Sequence, residues 1–162
     1  MQGKLFKDCS SLTEITLPVG TTYIAIDWFL NCSNLTTINN THSVTRIRGL
    51  GSCSSLVSIN TPALTAVEDW ACQYCNSLTT IDLSHCTSIN RNAFQGCTSL
   101  DVIDLSSCTT IGQEAFRGCT GLTEVDFNHN DVSTAWHSFY GCTSLTTIKN
   151  AENISTFGPN VF

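Results

Sequence analysis

Charged residues are scarce in this sequence, and their scarcity narrows the function before any motif is considered. Only 12% of the 162 residues are charged, about half of the usual share of roughly 25%. The seven basic residues are scattered among thirteen acidic ones, which gives a net charge of −6. Because nucleic-acid binding needs clustered Lys and Arg to neutralise phosphates, we expect no nucleic-acid partner.

Long hydrophobic runs are also missing. The densest apolar segment, residues 23–30, is eight residues long and is interrupted by Asp27, whereas a membrane-spanning helix needs about 20 apolar residues. The first nine residues contain Lys4, Lys7 and Asp8 with no apolar stretch behind them, so they do not form a secretory signal. We therefore predict no membrane insertion.

Catalytic motifs are absent from the sequence. It contains no Gly-x-Ser-x-Gly, no His-Glu-x-x-His and no phosphate-cradling glycine loop. Three of the four histidines, His42, His85 and His129, share one repeat position in alternate repeats. Two repeats separate them by about 10 Å, too far to share a metal whose ligands lie about 2 Å away. We interpret them and His137 as loop residues, and we predict no enzyme, no cofactor and no metal site.

What the sequence does contain is a Cys-x-x-Leu tetrapeptide that occurs seven times at spacings of 21 to 23 residues. We call its cysteines the ladder cysteines; they are Cys9, Cys32, Cys53, Cys75, Cys97, Cys119 and Cys142. A fixed period in the twenties indicates one short unit stacked on itself, which is a solenoid.

Positions counted from each ladder cysteine show a strand. Leucine stands at +3, Ile or Val at +6 and usually an apolar residue at +8. Alternation at +6 and +8 is the period of a β-strand with those side chains buried, so positions +5 and +7 are exposed. Strands of successive repeats are then expected to pair in parallel, about 4.8 Å apart.

Longer segments resemble a known family. Residues 78–86 and 100–108 read L-x-x-I-x-L-x-x-C, which resembles the leucine-rich-repeat signature L-x-x-L-x-L-x-x-N/C. Residues 89–97 and 111–119 are similar to the I-G-x-x-A-F-x-x-C segment of the BspA-like subclass. The resemblance implies an α/β fold class, namely a curved solenoid with a parallel β-sheet on its concave face. It implies short helical or 3-10 turns and extended segments on the convex face.

We predict one leucine-rich-repeat domain over residues 1–162, made of seven Cys-x-x-Leu units and a partial eighth. Phe157 and Phe162 take the isoleucine and phenylalanine positions of the eighth unit, while Leu5 and Phe6 fall inside a unit whose beginning is missing. Solenoids need polar capping repeats, and neither end shows one. Both ends are thus cut within a repeat, and we expect a fragment, or ends that pack against another domain or subunit.

The ten cysteines follow the repeat. Cys86 and Cys108 fill the N/C position of the signature, and Cys72 takes the position that Phe holds elsewhere. The Cys-x-x-Cys spacing of Cys72 and Cys75 has two interpretations. It is either a redox or zinc site, or a coincidence of where the repeat places its cysteines. Parallel Cβ vectors leave poor disulfide geometry, so we expect mostly buried free thiols that act as small hydrophobes.

The exposed strand face carries the candidate site. Asp82, Asp104 and Asp126 hold position +7 on consecutive repeats, and such a like-charge column costs stability unless it is solvated or paired. The column is open to three readings: a solvated acidic stripe, a site for a protein or peptide, or a Ca²⁺ site. The candidate ligand-binding residues are Asp82, Asp104, Asp126 and Glu124, with Thr80, Asn60 and Lys149 flanking them.

The resemblance implies a non-enzymatic module for protein binding or adhesion, from a cell-surface or secreted protein. Its partner would be a protein or peptide, such as a host or matrix protein, held against the concave sheet. A structural spacer that presents another domain and has no ligand of its own is the alternative. A cytoplasmic location stays open, because free thiols favour a reducing or anaerobic setting. The sequence leaves the oligomeric state undetermined.

Overall fold

The computed structural model describes residues 5–127 and 131–162. His129, which was predicted to be a loop residue, lies outside the described residues. Each repeat contributes one strand to a front set and one to a back set, with turns between them. The two sets enclose a single hydrophobic core.

The front strands contain positions +5 to +7 of each repeat. They are β1 (Glu14–Thr16), β3 (Thr37–Asn39), β5 (Ser58–Ile59), β7 (Thr80–Ile81), β9 (Val102–Asp104), β11 (Glu124–Asp126) and β13 (Thr147–Lys149). They pair in parallel one repeat apart, so that Val125 lies between Ile103 and Ile148. The predicted register is therefore confirmed, although the described hydrogen bonding falls into three sections, β1–β3, β5–β7 and β9–β11–β13.

The back strands form a second parallel sheet. They are β2 (Tyr23–Ile24), β4 (Arg46–Ile47), β6 (Ala66–Val67), β8 (Ser88–Ile89), β10 (Thr110–Ile111), β12 (Val132–Thr134) and β14 (Ile154–Phe157). Neighbours in this list pair, so the back sheet is one seven-stranded ladder. Its sequence signal is weak because most of these strands are two residues long and bury one β-branched side chain, such as Ile47 or Ile89.

The predicted α/β class and helical turns are not confirmed. Among the described residues the single helix is a three-residue 3-10 helix, Ala151–Asn153, just before β14. Each long turn instead contains two residues in the left-handed region, for example Glu114 with φ 55° and Gly118 with φ 71°. Left-handed residues interrupt a right-handed helix within a turn. The fold is therefore a leucine-rich-repeat solenoid of parallel strands and turns.

Equivalent residues stack in rows, as the period predicted. The +3 leucines of the central repeats, Leu35, Leu56, Leu78, Leu100 and Leu122, are all fully buried. Front-strand side chains alternate as expected, since Ile103 is buried while Val102 and Asp104 are exposed. The exceptions are at the two ends: Ile15 in β1 is partly buried, and Ile148 in β13 is 38% exposed.

Phenylalanines form a continuous stack inside the turns. Phe116 lies parallel to Phe94 and to Phe139, with ring centroids 5.3 Å and 5.1 Å away. Phe162 stacks on Phe139 at 5.6 Å, in the row where the sequence predicted an eighth phenylalanine. Burial of each such ring contributes roughly 1.5–3 kcal/mol as an upper value, so the repeats depend on one another for stability.

All ten cysteines lie in the described part of the chain and carry free thiols, eight of them buried. Each ladder thiol from the second repeat onward donates to a carbonyl of the preceding repeat, as Cys97 Sγ does to the Cys72 carbonyl oxygen at 3.1 Å. The prediction of buried free thiols is confirmed, with Cys9 exposed and Cys142 partly exposed.

Candidate binding surface

The acidic residues of the front strands are brought together only in part. Asp104 and Asp126 are direct partners in the β9–β11 pairing, and Asp126 pairs with Lys149 across β13. Asp82 follows β7, which is hydrogen-bonded to β5 in a separate two-stranded section. The hydrogen-bonded ladder beneath the predicted column is therefore interrupted between Asp82 and Asp104, although the two residues stand on neighbouring repeats.

A shallow depression marks the other half of the predicted site. Asn60, Thr80 and Asp82 line it, together with three residues of β5 and β7, Ser58, Ile59 and Ile81. Asn60, Thr80 and Asp82 are all exposed. Three of the seven predicted residues thus share one concave patch, whose floor is formed by the paired strands β5 and β7.

Two aspartates are fixed by the serines that follow them. Ser84 donates to Asp82 Oδ1 from its hydroxyl at 2.6 Å and from its backbone N–H at 3.0 Å. The backbone N–H of Ser106 donates to Asp104 Oδ1 at 2.8 Å. The hydroxyl hydrogen bond, followed by the backbone one, lowers the pKa of Asp82, so this carboxylate is ionised at neutral pH. The Asp-x-Ser spacing in the sequence is the signal of this local turn.

The C-terminal end of the acidic row is partly neutralised by its own neighbours. The Lys149 ammonium donates to Glu124 Oε1 at 2.5 Å, and this bond raises the pKa of Lys149. Asn150 Nδ2 donates to Asp126 Oδ1 at 2.6 Å. Lys149 was predicted as a flanking residue, and it is an ion-pair partner of the site. A cationic ligand would have to compete with it at Glu124.

The described parts of the chain contain no group of three or more His, Cys, Asp or Glu side chains placed to hold a metal ion. The Ca²⁺ reading of the aspartate column therefore has no structural support there. The thiol pair Cys72 and Cys75 is buried, and a hydrogen bond between the two side chains, with burial, raises the pKa of Cys75. Redox-active thiols need a lowered pKa. The structure therefore favours the interpretation that the Cys-x-x-Cys spacing of this pair is a coincidence of the repeat.

Sequence reasoning missed the aromatic side chains on the turns. We define the turn edge as the segments between each back strand and the next ladder cysteine, residues 25–32, 48–53, 68–75, 90–97, 112–119, 135–142 and 158–162. Outside the phenylalanine row, four large aromatic residues are exposed there, Trp70, Tyr74, Trp136 and Tyr140. They stand at positions that do not recur between repeats, so a period-based reading passes over them. The sequence signal that could have found them is the presence of Trp and Tyr at positions outside the repeating phenylalanine position.

Arginines lie beside three aromatic rings of the solenoid. The Arg91 guanidinium is 5.0 Å from the centre of the Trp70 ring, and that of Arg117 is 5.8 Å from the Tyr140 ring. The third pair, Arg46 and Tyr23, is on the back sheet at 4.5 Å. Trp, Tyr and Arg are the residue types most enriched at binding hot spots, which makes the turn edge a second candidate surface.

In residues 5–127 and 131–162, no helix has both the length and the apolar character needed to cross a bilayer.

Comparison with known proteins identifies the family. The family model described as "BspA type Leucine rich repeat region" matches six copies over residues 1–51 and 50–162. The chain therefore belongs to the BspA-type leucine-rich-repeat family. This family is typical of surface proteins and protein-interaction modules. A search of curated proteins found no match.

Three solved structures are similar to this chain. The leucine-rich repeat protein TpLRR of T. pallidum is 26% identical with a TM-score of 0.74, over 85% of this chain and 69% of that one. A leucine-rich repeat protein from Bacteroides ovatus ATCC 8483 is 21% identical with a TM-score of 0.46, covering 100% of this chain and 67% of that one. A leucine rich cell surface protein from Faecalibacterium prausnitzii A2-165 is 18% identical with a TM-score of 0.41, covering 93% and 63%. The fold comparison rests on the first of these.

Proposed function

We propose that this chain is a non-enzymatic protein-binding or adhesion module of a cell-surface or secreted leucine-rich-repeat protein. Its ligand, a protein or peptide, lies against the front strands, which correspond to the concave sheet of the family. The proposal is supported chiefly by Asp82 and Asp104, two exposed side chains on neighbouring repeats that each accept a hydrogen bond from the serine two residues later. A rigid acidic stripe of this kind suits a basic, extended segment of a partner.

The front strands also offer neutral hydrogen-bonding groups beside the charges. Asn60 and Thr80 stand next to Asp82 in the shallow depression. Charged groups steer the encounter and fix the register, while neighbouring contacts supply most of the residence time. The seven residues of the site are therefore Asp82, Asp104, Asp126, Glu124, Thr80, Asn60 and Lys149.

Charge reversal tests this site. The double variant Asp82→Lys and Asp104→Lys should weaken binding to immobilised matrix proteins or to a decalysine peptide, because it replaces attraction by repulsion at the stripe. A matched control is Glu152→Lys with Asp131→Lys, two exposed acids next to the back strands β14 and β12. Both variants change the net charge equally. Equal loss in the two variants would indicate nonspecific charge attraction, and unchanged binding in the first would remove the aspartates from the site.

A structural spacer is the second candidate, and one observation favours it. The ion pair of Lys149 with Glu124 and the bond from Asn150 to Asp126 satisfy much of the C-terminal half of the row within the chain. A spacer predicts that no matrix protein binds above the level of the control variant, and that deleting the chain from a longer protein alters only the reach of its other domains.

A further inference from the structure

The shortest turn of the solenoid leaves a notch in the turn edge. The turn formed by residues 48–53 has six residues, whereas the next turn, residues 68–75, has eight. Its neighbours on both sides project past it and enclose a volume of about 230 Å³, with Leu30 on one wall and Trp70 on the other. Pockets for drug-sized ligands have roughly 300–1,000 Å³, so the notch accommodates one ring.

Glycine keeps this notch open. A Cβ placed on Gly51 would lie 3.0 Å from Leu30 Cδ1, so a larger side chain at this position would fill the space between the walls. Gly49 is required for a different reason, since its Cβ would lie 2.0 Å from the Ala25 carbonyl oxygen. In this repeat Gly49 and Leu50 stand where residues 93–94 and 115–116 are Ala–Phe. The notch results from this replacement.

The polar lining of the notch supplies both donors and acceptors. Arg48 Nε is buried and has no hydrogen-bond partner among the described residues. Asp27 is 3.8 Å from the Lys7 ammonium, and Asp69 Oδ1 accepts a 3.2 Å bond from the Arg91 backbone N–H. The notch is thus lined by one cationic side chain, Arg48, and two carboxylates, Asp27 and Asp69, of which Asp27 is paired with Lys7.

Trp70 is held at the rim in an uncommon backbone conformation. Its φ is 56°, a region that bulky residues rarely adopt and that typically costs about 1–3 kcal/mol. The ring is 39% exposed, and Arg91 of the following repeat lies over it. Trp70 lines the notch, and its partly exposed side chain is available to a ligand there.

We propose that the notch binds a neutral pyranose ring of a glycan. The C–H face of the sugar packs on Trp70, a hydroxyl oxygen accepts from the Arg48 guanidinium, and other hydroxyls donate to Asp27 and Asp69. An apolar side chain of a peptide would cover Arg48 and the carboxylates without replacing their water, which disfavours it. An anionic ligand would meet two carboxylates. A polyhydroxyl ring satisfies donors and acceptors together.

This site is separate from the front strands and shares no residue with them. The proposal goes beyond protein binding by the front face, and either one stands if the other fails. Variants in the notch leave Asp82 and Asp104 intact, so binding of the decalysine peptide serves as the internal control.

Ligand-observed NMR with neutral disaccharides tests the proposal. Cellobiose, maltose and N,N′-diacetylchitobiose are added in turn at millimolar concentration, and saturation transfer to their ring protons is measured. At least one should bind the unaltered chain. Trp70→Ala and Gly51→Leu should each weaken that binding about tenfold or more, as expected for a central aromatic contact and for a filled cavity. Trp136→Ala, which removes another exposed turn-edge tryptophan (47% exposed), should leave it unchanged.

Two results would overturn the proposal. One is absence of transfer to all three disaccharides; the other is equal transfer in Trp70→Ala, Gly51→Leu and the unaltered chain. Binding of N-acetyl-leucinamide in place of the sugars would assign the notch to a peptide side chain instead. Circular dichroism melting of each variant confirms folding. If a sugar binds, retention on insoluble chitin or cellulose, against retention on a glycoprotein before and after enzymatic deglycosylation, separates a polysaccharide source from a protein-linked glycan.

Discussion

The thiol of Cys119 lies 3.1 Å from the carbonyl oxygen of Phe94, one repeat earlier in the stack. The same bond joins Cys97 to the carbonyl of Cys72 and Cys142 to that of Phe116. Each accepting carbonyl also receives a backbone N–H, as Phe94 does from Cys97 at 3.1 Å. Cysteine suits the ladder position because it is small and apolar and still donates a weak hydrogen bond across the repeat boundary.

Replacing a ladder thiol should therefore cost stability. Cys119→Ala removes one hydrogen bond and the volume of a buried sulfur atom, and we expect a loss of about 1–2 kcal/mol in the free energy of unfolding. Urea unfolding followed by circular dichroism measures it. Cys9→Ala is the control, since Cys9 is exposed, and it should change the free energy by less than about 0.5 kcal/mol. Equal effects would show that the thiol bond contributes nothing.

The buried thiols should make the protein less stable at alkaline pH. Burial raises the pKa of Cys86 to about 11 and that of Cys108 to about 12, from an ordinary value of 9.0. Above pH 9 the unfolded chain loses thiol protons that the folded chain keeps, so the free energy of unfolding falls as pH rises. The slope is at most about 1.4 kcal/mol per pH unit for each thiol, and the contribution is complete below pH 9.

Urea midpoints measured on both sides of pH 9 check this dependence. The variant Cys86→Ala with Cys108→Ala should show a shallower decline than the unaltered chain, whereas Cys9→Ala should follow the unaltered chain. A decline of the same slope in the double variant would assign the alkaline loss to groups other than these two thiols.

Two turn-edge glycines with the same backbone should differ in their tolerance of alanine. Gly96 has φ +73° and Gly118 has φ +71°, but a Cβ at Gly96 would lie 2.5 Å from Tyr74 Cδ1 while one at Gly118 meets nothing within 4 Å. Gly118→Ala should cost about 1 kcal/mol from left-handed strain alone. Gly96→Ala should cost more, since the tyrosine ring must also move.

A double variant separates these two causes. In a Tyr74→Ala background the ring is gone, so Gly96→Ala should cost no more than Gly118→Ala. Thermal or urea unfolding of the four chains gives the coupling energy directly. Identical costs for Gly96→Ala with and without Tyr74 would contradict the contact.

The central phenylalanine of the stack should carry more stability than an exposed one. Phe116 is fully buried between Phe94 and Phe139, so Phe116→Ala should cost about 3–5 kcal/mol. Phe157 is 56% exposed, and its replacement by alanine should cost far less. Because repeats interact with their neighbours, hydrogen exchange should speed up first around Cys97 and Cys119. Uniform exchange along the chain would contradict this nearest-neighbour behaviour.

The rows of the solenoid could be predicted because each depends on residues that recur. Leu78, Leu100 and Leu122 were expected to stack, and all three are fully buried. The helical turns were expected from the family resemblance carried by residues 89–97 and 111–119, but left-handed residues such as Glu114 and Gly118 stop a helix there. Single-residue φ values depend on how a turn closes against its neighbours, which the repeat pattern does not record.

The candidate site was predictable in its residues and not in its continuity. Asp104 and Asp126 are paired as their spacing requires, whereas the section break beside Asp82 has no counterpart in the sequence pattern. The pairing of Lys149 with Glu124 depends on two long side chains that meet across neighbouring strands. Register gives their Cα positions, and the rotamers decide the contact.

The sequence by itself determined the period, the buried rows and the exposed aspartate row, because residues about 22 apart in a stacked array must lie over one another. The tertiary structure decided the second sheet, the breaks in the front ladder and the notch beside Trp70. These features arise from turns of unequal length lying side by side, and the packing between unlike neighbours is not encoded in any single repeat.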